Sequence, residues 1–154
     1  MLTRLRHAGL GGLALGVSLV PDRRRLFATM RRYVRDLPQA LAGPLPAALA
    51  AQTPAQTGLA LPPGQVRLLA DAAALFERRS PLGLCLRRSL VRYHFMRQAG
   101  VPLVLNFGAR FVAGAPDRDI TGHAWLTLRD TPYHESGEDW QGFVIMYSYP
   151  PTEA

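Results

Sequence analysis

The chain has 154 residues, 48% hydrophobic and 19% charged, a balance that fits one globular domain and excludes a disordered or wholly membrane-embedded chain. Its net charge of +7 is carried by arginine, with no lysine at all; a GC-rich coding bias explains such a composition as readily as an acidic partner, so nucleic acid is not expected. A single cysteine forms no internal disulfide, and His7, His94, His123 and His134 lack zinc-site spacing, so the expectation is a reducing, cytoplasmic setting with no metal and no cofactor.

In chain order, the segment Ala8 to Val20, "AGLGGLALGVSLV", is apolar and follows Arg4, Arg6 and His7. It is too short to span a bilayer, lacks an Ala-x-Ala cleavage site and runs into Pro21, so it reads as a helical cap, with membrane contact or export as the alternative. Leu26, Met30, Tyr33 and Leu37 recur at helical steps, and two short helices broken near Pro21 are predicted over residues 1 to 42. The Pro/Ala-rich stretch from Gly43 to Gly64 reads as a connector with one brief helical turn. The division is therefore residues 1–60 as helical N-terminal extension and connector, and 61–154 as the main domain.

Beyond Pro62, Val66, Leu69, Ala73 and Phe76 share one helix face, and that helix is predicted to end near Arg79. A second helix is predicted from Leu84 to Gln98, stopped by Gly100 and Pro102. The period then changes from near 3.6 to near 2: "VPLVLNFGARFVAG", "GHAWLTLRD" and "FVIMYSYP" read as strands, with loops at Ala113 to Thr121 and Ser136 to Gly142. Helices first and strands second give an α+β domain, with helix 84–98 packed on an antiparallel sheet.

Cys85 stands at the head of that helix, where free amide groups and the helix dipole favour the reactive thiolate, and Arg87 and Arg88 add positive field. A small core side chain is the competing reading of Cys85, and a solvated helix face that of the two arginines. His94, nine residues along the same helix, is rotated by about half a turn from Cys85. His123 opens a strand after a glycine and is the candidate base, with His134 in reserve. The group that orients the imidazole falls among Asp130, Glu135, Glu138 and Asp139. A three-residue loop at Arg129–Thr131 places Glu135 on the face of His123; a two-residue loop places it on the other.

The runs "CLRRSLVRYHFMRQAGVPLVLNFGARF", "GHAWLTLRDTPYHE" and "FVIMYSYP" together resemble the lasso peptide biosynthesis B2 proteins, stand-alone leader peptidases of the transglutaminase-like, papain-related superfamily. The likeness covers roughly residues 65 to 150. It implies a transglutaminase-like fold and a cysteine peptidase that cuts the leader from a ribosomally made precursor peptide by a Cys-His-Asp triad. By motif, Cys85 is the nucleophile and His123 the base, while Glu135 holds the place of the usual aspartate. The resemblance also implies a separate B1-type leader-recognition protein as partner, since residues 1 to 60 lack strand periodicity, and a macrocyclase further along the pathway. Arg78, Arg79, Arg92 and Arg97 are candidate contacts to an acidic leader. Transfer of the acyl group to an amine, and a non-catalytic peptide-binding relative with the same groove, are the alternative functions. Trp125 is either a wall of the site or a half-buried strand aromatic.

Overall fold

A computed structural model describes residues 20–54, 58–112 and 119–151, and within them all side chains except those of Gly137 and Glu138. The reading of residues 8–20 as a cap or membrane contact thus falls, but for Val20, outside the described residues, as does any role for the Glu138 carboxylate.

Helix α1 runs unbroken from Pro21 to Ala40. Proline begins this helix, because at the first helical position its ring presets φ and its missing N–H has no intrahelical acceptor to lose; the helix expected before it falls outside the described residues. Of the expected series, Met30 and Leu37 are fully buried, as is Val34, while Leu26 and Tyr33 are partly buried against the same core. In the connector, α2 (Leu45–Gln52) is longer than the single turn expected and buries Leu49. Helix α3 (Pro63–Phe76) buries Val66, Leu69, Ala70, Ala73 and Ala74, and stops before Arg79. Its last residue, Phe76, is exposed and meets Phe27 of α1 edge-on.

Helix α4 spans Leu84–Gln98. Its exit is a Schellman turn, with Gly100 at φ +82, Gly100 N–H on Arg97 C=O and Val101 N–H on Met96 C=O. The chain therefore reverses at once into β1 (Val104–Phe111), and Arg97 Nη1 reaches Leu103 C=O at 3.0 Å across the corner. That reversal sets the C-terminus of α4 at the start of β1 and its N-terminus at the opposite end of the sheet.

The sheet has the order β3-β2-β1-β4 and is antiparallel, with β2 at Ile120–Leu128, β3 at Thr131–Pro132 and β4 at Val144–Tyr149; a short helix, α5 (Gly137–Trp140), precedes β4. In β1 and β2, Leu105 pairs with Leu126 and Gly108 with His123. One core joins Leu105 and Leu126 to Leu90, Tyr93 and Met96 of α4, to α3, and to Met30, Val34, Leu37 and Leu49. The helices at residues 21–52 are thus packed into the same core as the helices and sheet that follow. The fold is α+β, with α4 laid against an antiparallel sheet as the sequence predicts.

Candidate active site

Cys85 occupies the first turn of α4 as a half-buried free thiol, preceded by Gly83 in extended conformation. The first N–H groups of a helix have no intrahelical acceptor, so this turn presents free donors beside the sulfur. Arg87 is not the solvated side chain that one reading allowed. It is buried, with Nε on Ala74 C=O at 3.3 Å and Nη1 on Leu82 C=O at 2.7 Å. It ties the end of α3 and the loop before Cys85 to the head of α4.

His123 lies on the part of β2 where β3 no longer pairs, at the sheet end toward which the head of α4 points. Alternation along the strand turns Ala124 and Leu126 toward the helices and His123 and Trp125 to the other face. There Trp125, only 2% exposed yet outside the helix–sheet core, stacks on His123 at 5.9 Å, and Phe143 touches both rings at 5.3 and 6.3 Å. Gly108 makes this possible: a Cβ there would stand 2.7 Å from the indole of Trp125. Arg110 covers Phe143 at 4.4 Å. Trp125 is thus a buried wall beside the histidine, more enclosed than a half-buried strand aromatic.

The His123 ring is held below the usual histidine pKa, first by burial and then by the charges of Arg88 and Arg110, against the opposing pull of Asp139. Its Nε2 is buried without a hydrogen-bond partner. Buried polar atoms are nearly always paired, so an unpaired ring nitrogen in this place is available to a proton donor. Among the described residues Cys85 and His123 share no hydrogen bond; Arg88, one turn along α4 from Cys85, is the group through which the helix head acts on the ring.

The turn between β2 and β3 decides the place of Glu135. Thr131 pairs with Leu128 and Pro132 with Thr127, leaving a two-residue turn in which Arg129 and Asp130 both have positive φ, at 50° and 61°. The three-residue alternative is not formed, and Tyr133 N–H on Leu126 C=O continues the two-residue register. Glu135 consequently falls on the helix side, away from the His123 face. There Arg88 Nη2 and Arg92 Nη1 both donate to its fully buried carboxylate, the second at 3.2 Å, and Arg92 also grips Asp71, Nη2 to Oδ2 at 2.8 Å. Burial pushes the Glu135 carboxyl above its usual range despite these arginines.

Asp139 is the carboxylate whose charge bears on His123, and its Oδ2 accepts from Ser136 Oγ at the start of α5. Asp130 sits exposed at the turn. His134, with φ +52, is exposed and packs edge-on against Tyr133, while burial and the nearby Arg67 and Arg92 lower its pKa. His94 serves α2, with Nδ1 and Gln52 O 2.7 Å apart, and lies away from the head of α4. Of the arginines expected to meet an acidic leader, Arg78 and Arg79 are exposed. Arg92 is buried in its ion pairs, a correction to that expectation, and Arg97 lies over the Tyr93 ring. Among the described residues, no group of three or more His, Cys, Asp or Glu could hold a metal ion.

No curated protein and no solved structure matches the chain. A family model described as "Transglutaminase-like superfamily" matches residues 18–148, from α1 to β4, and so includes the thiol-bearing helix and the histidine strand. By that match, the chain belongs to the transglutaminase-like superfamily.

Proposed function

We propose that the protein is a cysteine peptidase that removes the leader from a ribosomally synthesised precursor peptide, with Cys85 as nucleophile and His123 as base. The observation that carries the reading is the buried, unpartnered Nε2 of a neutral His123 at the sheet end faced by the head of the Cys85 helix. Superfamily membership supports acyl-transfer chemistry at a cysteine.

In this mechanism His123 takes the Cys85 proton, and the thiolate attacks the scissile carbonyl. The Cys85 N–H, at a helix start, donates to the oxyanion. Imidazolium formed next to Arg88 and Arg110 is an acid under strain, so it readily passes its proton to the leaving amine. Water then hydrolyses the thioester. Catalytic hydrogen bonds are often open in an unliganded enzyme and close on the substrate, so Sγ and Nε2 are expected to meet only when a peptide bridges them. Asp139 takes the orienting role, because its charge acts on His123 whereas Glu135 is engaged by Arg88 and Arg92.

The helices at residues 21–52 are without strands, and a separate leader-binding protein is the proposed partner. The test is to incubate the protein, with and without that partner, with precursor peptide and to read the product masses. Fragments whose sum exceeds the precursor by one water, lost in Cys85→Ala, support hydrolysis. Products joined to an added amine identify transfer instead, and an intact precursor with retained binding sinks the peptidase.

A further inference from the structure

Arg88 is fixed at one end and unused at another. Its Nη2 donates to the fully buried carboxylate of Glu135, which Arg92 holds from the next turn of α4. Its Nε is buried and has no acceptor among the described residues. On the same helix Arg87 places its Nε on Ala74 C=O, and Arg92 places its Nε on Asp71. A guanidinium N–H withdrawn from water and left unpaired is costly, and in a native protein it calls for an acceptor that arrives from outside.

The place of this N–H follows from the helix. Cys85 and Arg88 are three residues apart in α4, a spacing that sets two Cβ atoms about 5–6 Å apart on one side. Long side chains in a helix lean back toward its N-terminus, so the Arg88 side chain is directed over the turn that carries Cys85. The His123 ring, which feels the Arg88 charge, holds a second buried and unpartnered nitrogen, Nε2. The linked ion pairs have a surplus as well: Arg67, Arg92 and Arg88 face only Asp71 and Glu135, three guanidinium groups against two carboxylates. An incoming negative charge at the Arg88 end completes the balance.

We infer that Arg88 is a catalytic residue, the second oxyanion donor beside the Cys85 N–H, and that Glu135 is its positioning residue. The inference rests on the acyl-transfer reading of Cys85 and His123. As sulfur bonds to the carbonyl carbon, the π pair of C=O moves onto oxygen, and Arg88 Nε–H and Cys85 N–H donate to it. When the carbon–nitrogen bond breaks, the pair returns to the carbonyl and the leaving nitrogen takes the proton from His123. Arg88 stays protonated throughout. Glu135 thus serves the reaction from the helix side of the sheet, by gripping the far end of the guanidinium, without touching the imidazole.

The test compares two reactions of the Cys85 thiol in the full chain, both run well above the His123 titration. Acylation by p-nitrophenyl acetate passes through an oxyanion; alkylation by iodoacetamide, a displacement of iodide, does not. Loss of one oxyanion donor ordinarily slows acyl transfer by about 10²–10³. Arg88→Lys keeps the charge beside Glu135 and His123 but has no Nε–H, so acylation is expected to fall at least tenfold while alkylation stays within about threefold. The double variant Arg88→Gln, Glu135→Gln removes both charges together and is expected to give the same split should the lysine variant melt early. Acylation and alkylation that fall in equal proportion, or acylation that does not fall, overturn the donor and leave the peptidase standing. A wild-type thiol that is alkylated but never acylated removes the acyl-transfer reading and this inference with it. Acylation that depends on Arg88, with precursor left uncleaved, sinks the peptidase alone and supports the donor.

Discussion

Arg92 donates Nη1 to Glu135 Oε1 at 3.2 Å, with the Arg92 side chain 4% exposed and that of Glu135 not at all. The pair is one link in a chain of charge that runs Arg67–Asp71–Arg92–Glu135–Arg88, joining α3, α4 and the segment after β3. Removing one partner of a buried ion pair leaves the other desolvated and uncompensated, at a cost of about 3–5 kcal/mol. Glu135→Gln is accordingly expected to lower the melting temperature by roughly 10 °C. A double-mutant cycle with Arg92→Met, followed by urea unfolding, measures the coupling; a Glu135→Gln protein as stable as the wild type would show the network to be idle.

Asp139 and Glu135 separate by what each loses. Asp139→Asn is expected to leave stability nearly unchanged and to cut turnover on the order of a hundredfold, the scale of one general acid–base contribution. Since Asp139 favours the charged ring, its removal lowers the His123 pKa further, and the acidic limb of the pH–rate profile moves to lower pH. A limb that stays in place, with full activity, rules Asp139 out as the positioning group.

The two arginines near His123 act with the opposite sign. Replacing Arg88 or Arg110 by Met removes a positive charge that disfavours imidazolium, so the ring pKa rises and the acidic limb moves up. Proton NMR titration of the His123 ring follows this directly, including in Cys85→Ala where turnover is absent. A downward shift on either substitution contradicts the electrostatics described.

Folding stability is linked to the same rings. His94, His123 and His134 all have pKa values lowered in the fold, chiefly by burial, so the unfolded chain binds more protons below about pH 6.5. Their contribution is fully present above that pH and is lost as pH falls through the unfolded value toward the folded ones. His94→Gln is expected to flatten the decline in the urea midpoint between pH 7 and pH 5; an equally steep decline in both proteins removes His94 from the account.

Gly108→Ala tests the packing that carries the histidine. The added methyl would stand 2.7 Å from Trp125 and 3.0 Å from Val144 O, so the indole must move or the strand must bend. Overpacking of this kind costs about 1–3 kcal/mol. Because Trp125 stacks on His123, turnover should fall more than stability does, while Gly122→Ala, with its nearest neighbour at 3.9 Å, should be mild. Equal losses in the two variants would detach the tryptophan from the catalytic ring.

The strands were legible because their residues alternate with a period near 2, and helix α4 because the residues at 84–98 meet a glycine at both ends. The turn at Arg129–Asp130 was not, since neither residue is the glycine that normally announces a two-residue hairpin, and its count alone decides the face of Glu135. The buried charges were equally hidden: Arg87, Arg92 and Asp71 look like solvated side chains until α3 and α4 are laid together. The aromatic wall around His123 depends on Phe143, contributed from beyond a loop, and no local pattern links the two.

Helix α3 meets α4 across Ala70, Ala73 and Ala74, all without solvent exposure. Side chains this short make the gap between the two backbones a fixed spacer of minimal thickness. A larger residue at any of these sites would act as a shim, tilting α4 and carrying the sulfur at its head out of register with a histidine anchored on a different layer. In the proposed mechanism, the alignment of thiol and imidazole is therefore written partly in the alanines of a neighbouring helix, which set how far the thiol must travel to reach its base.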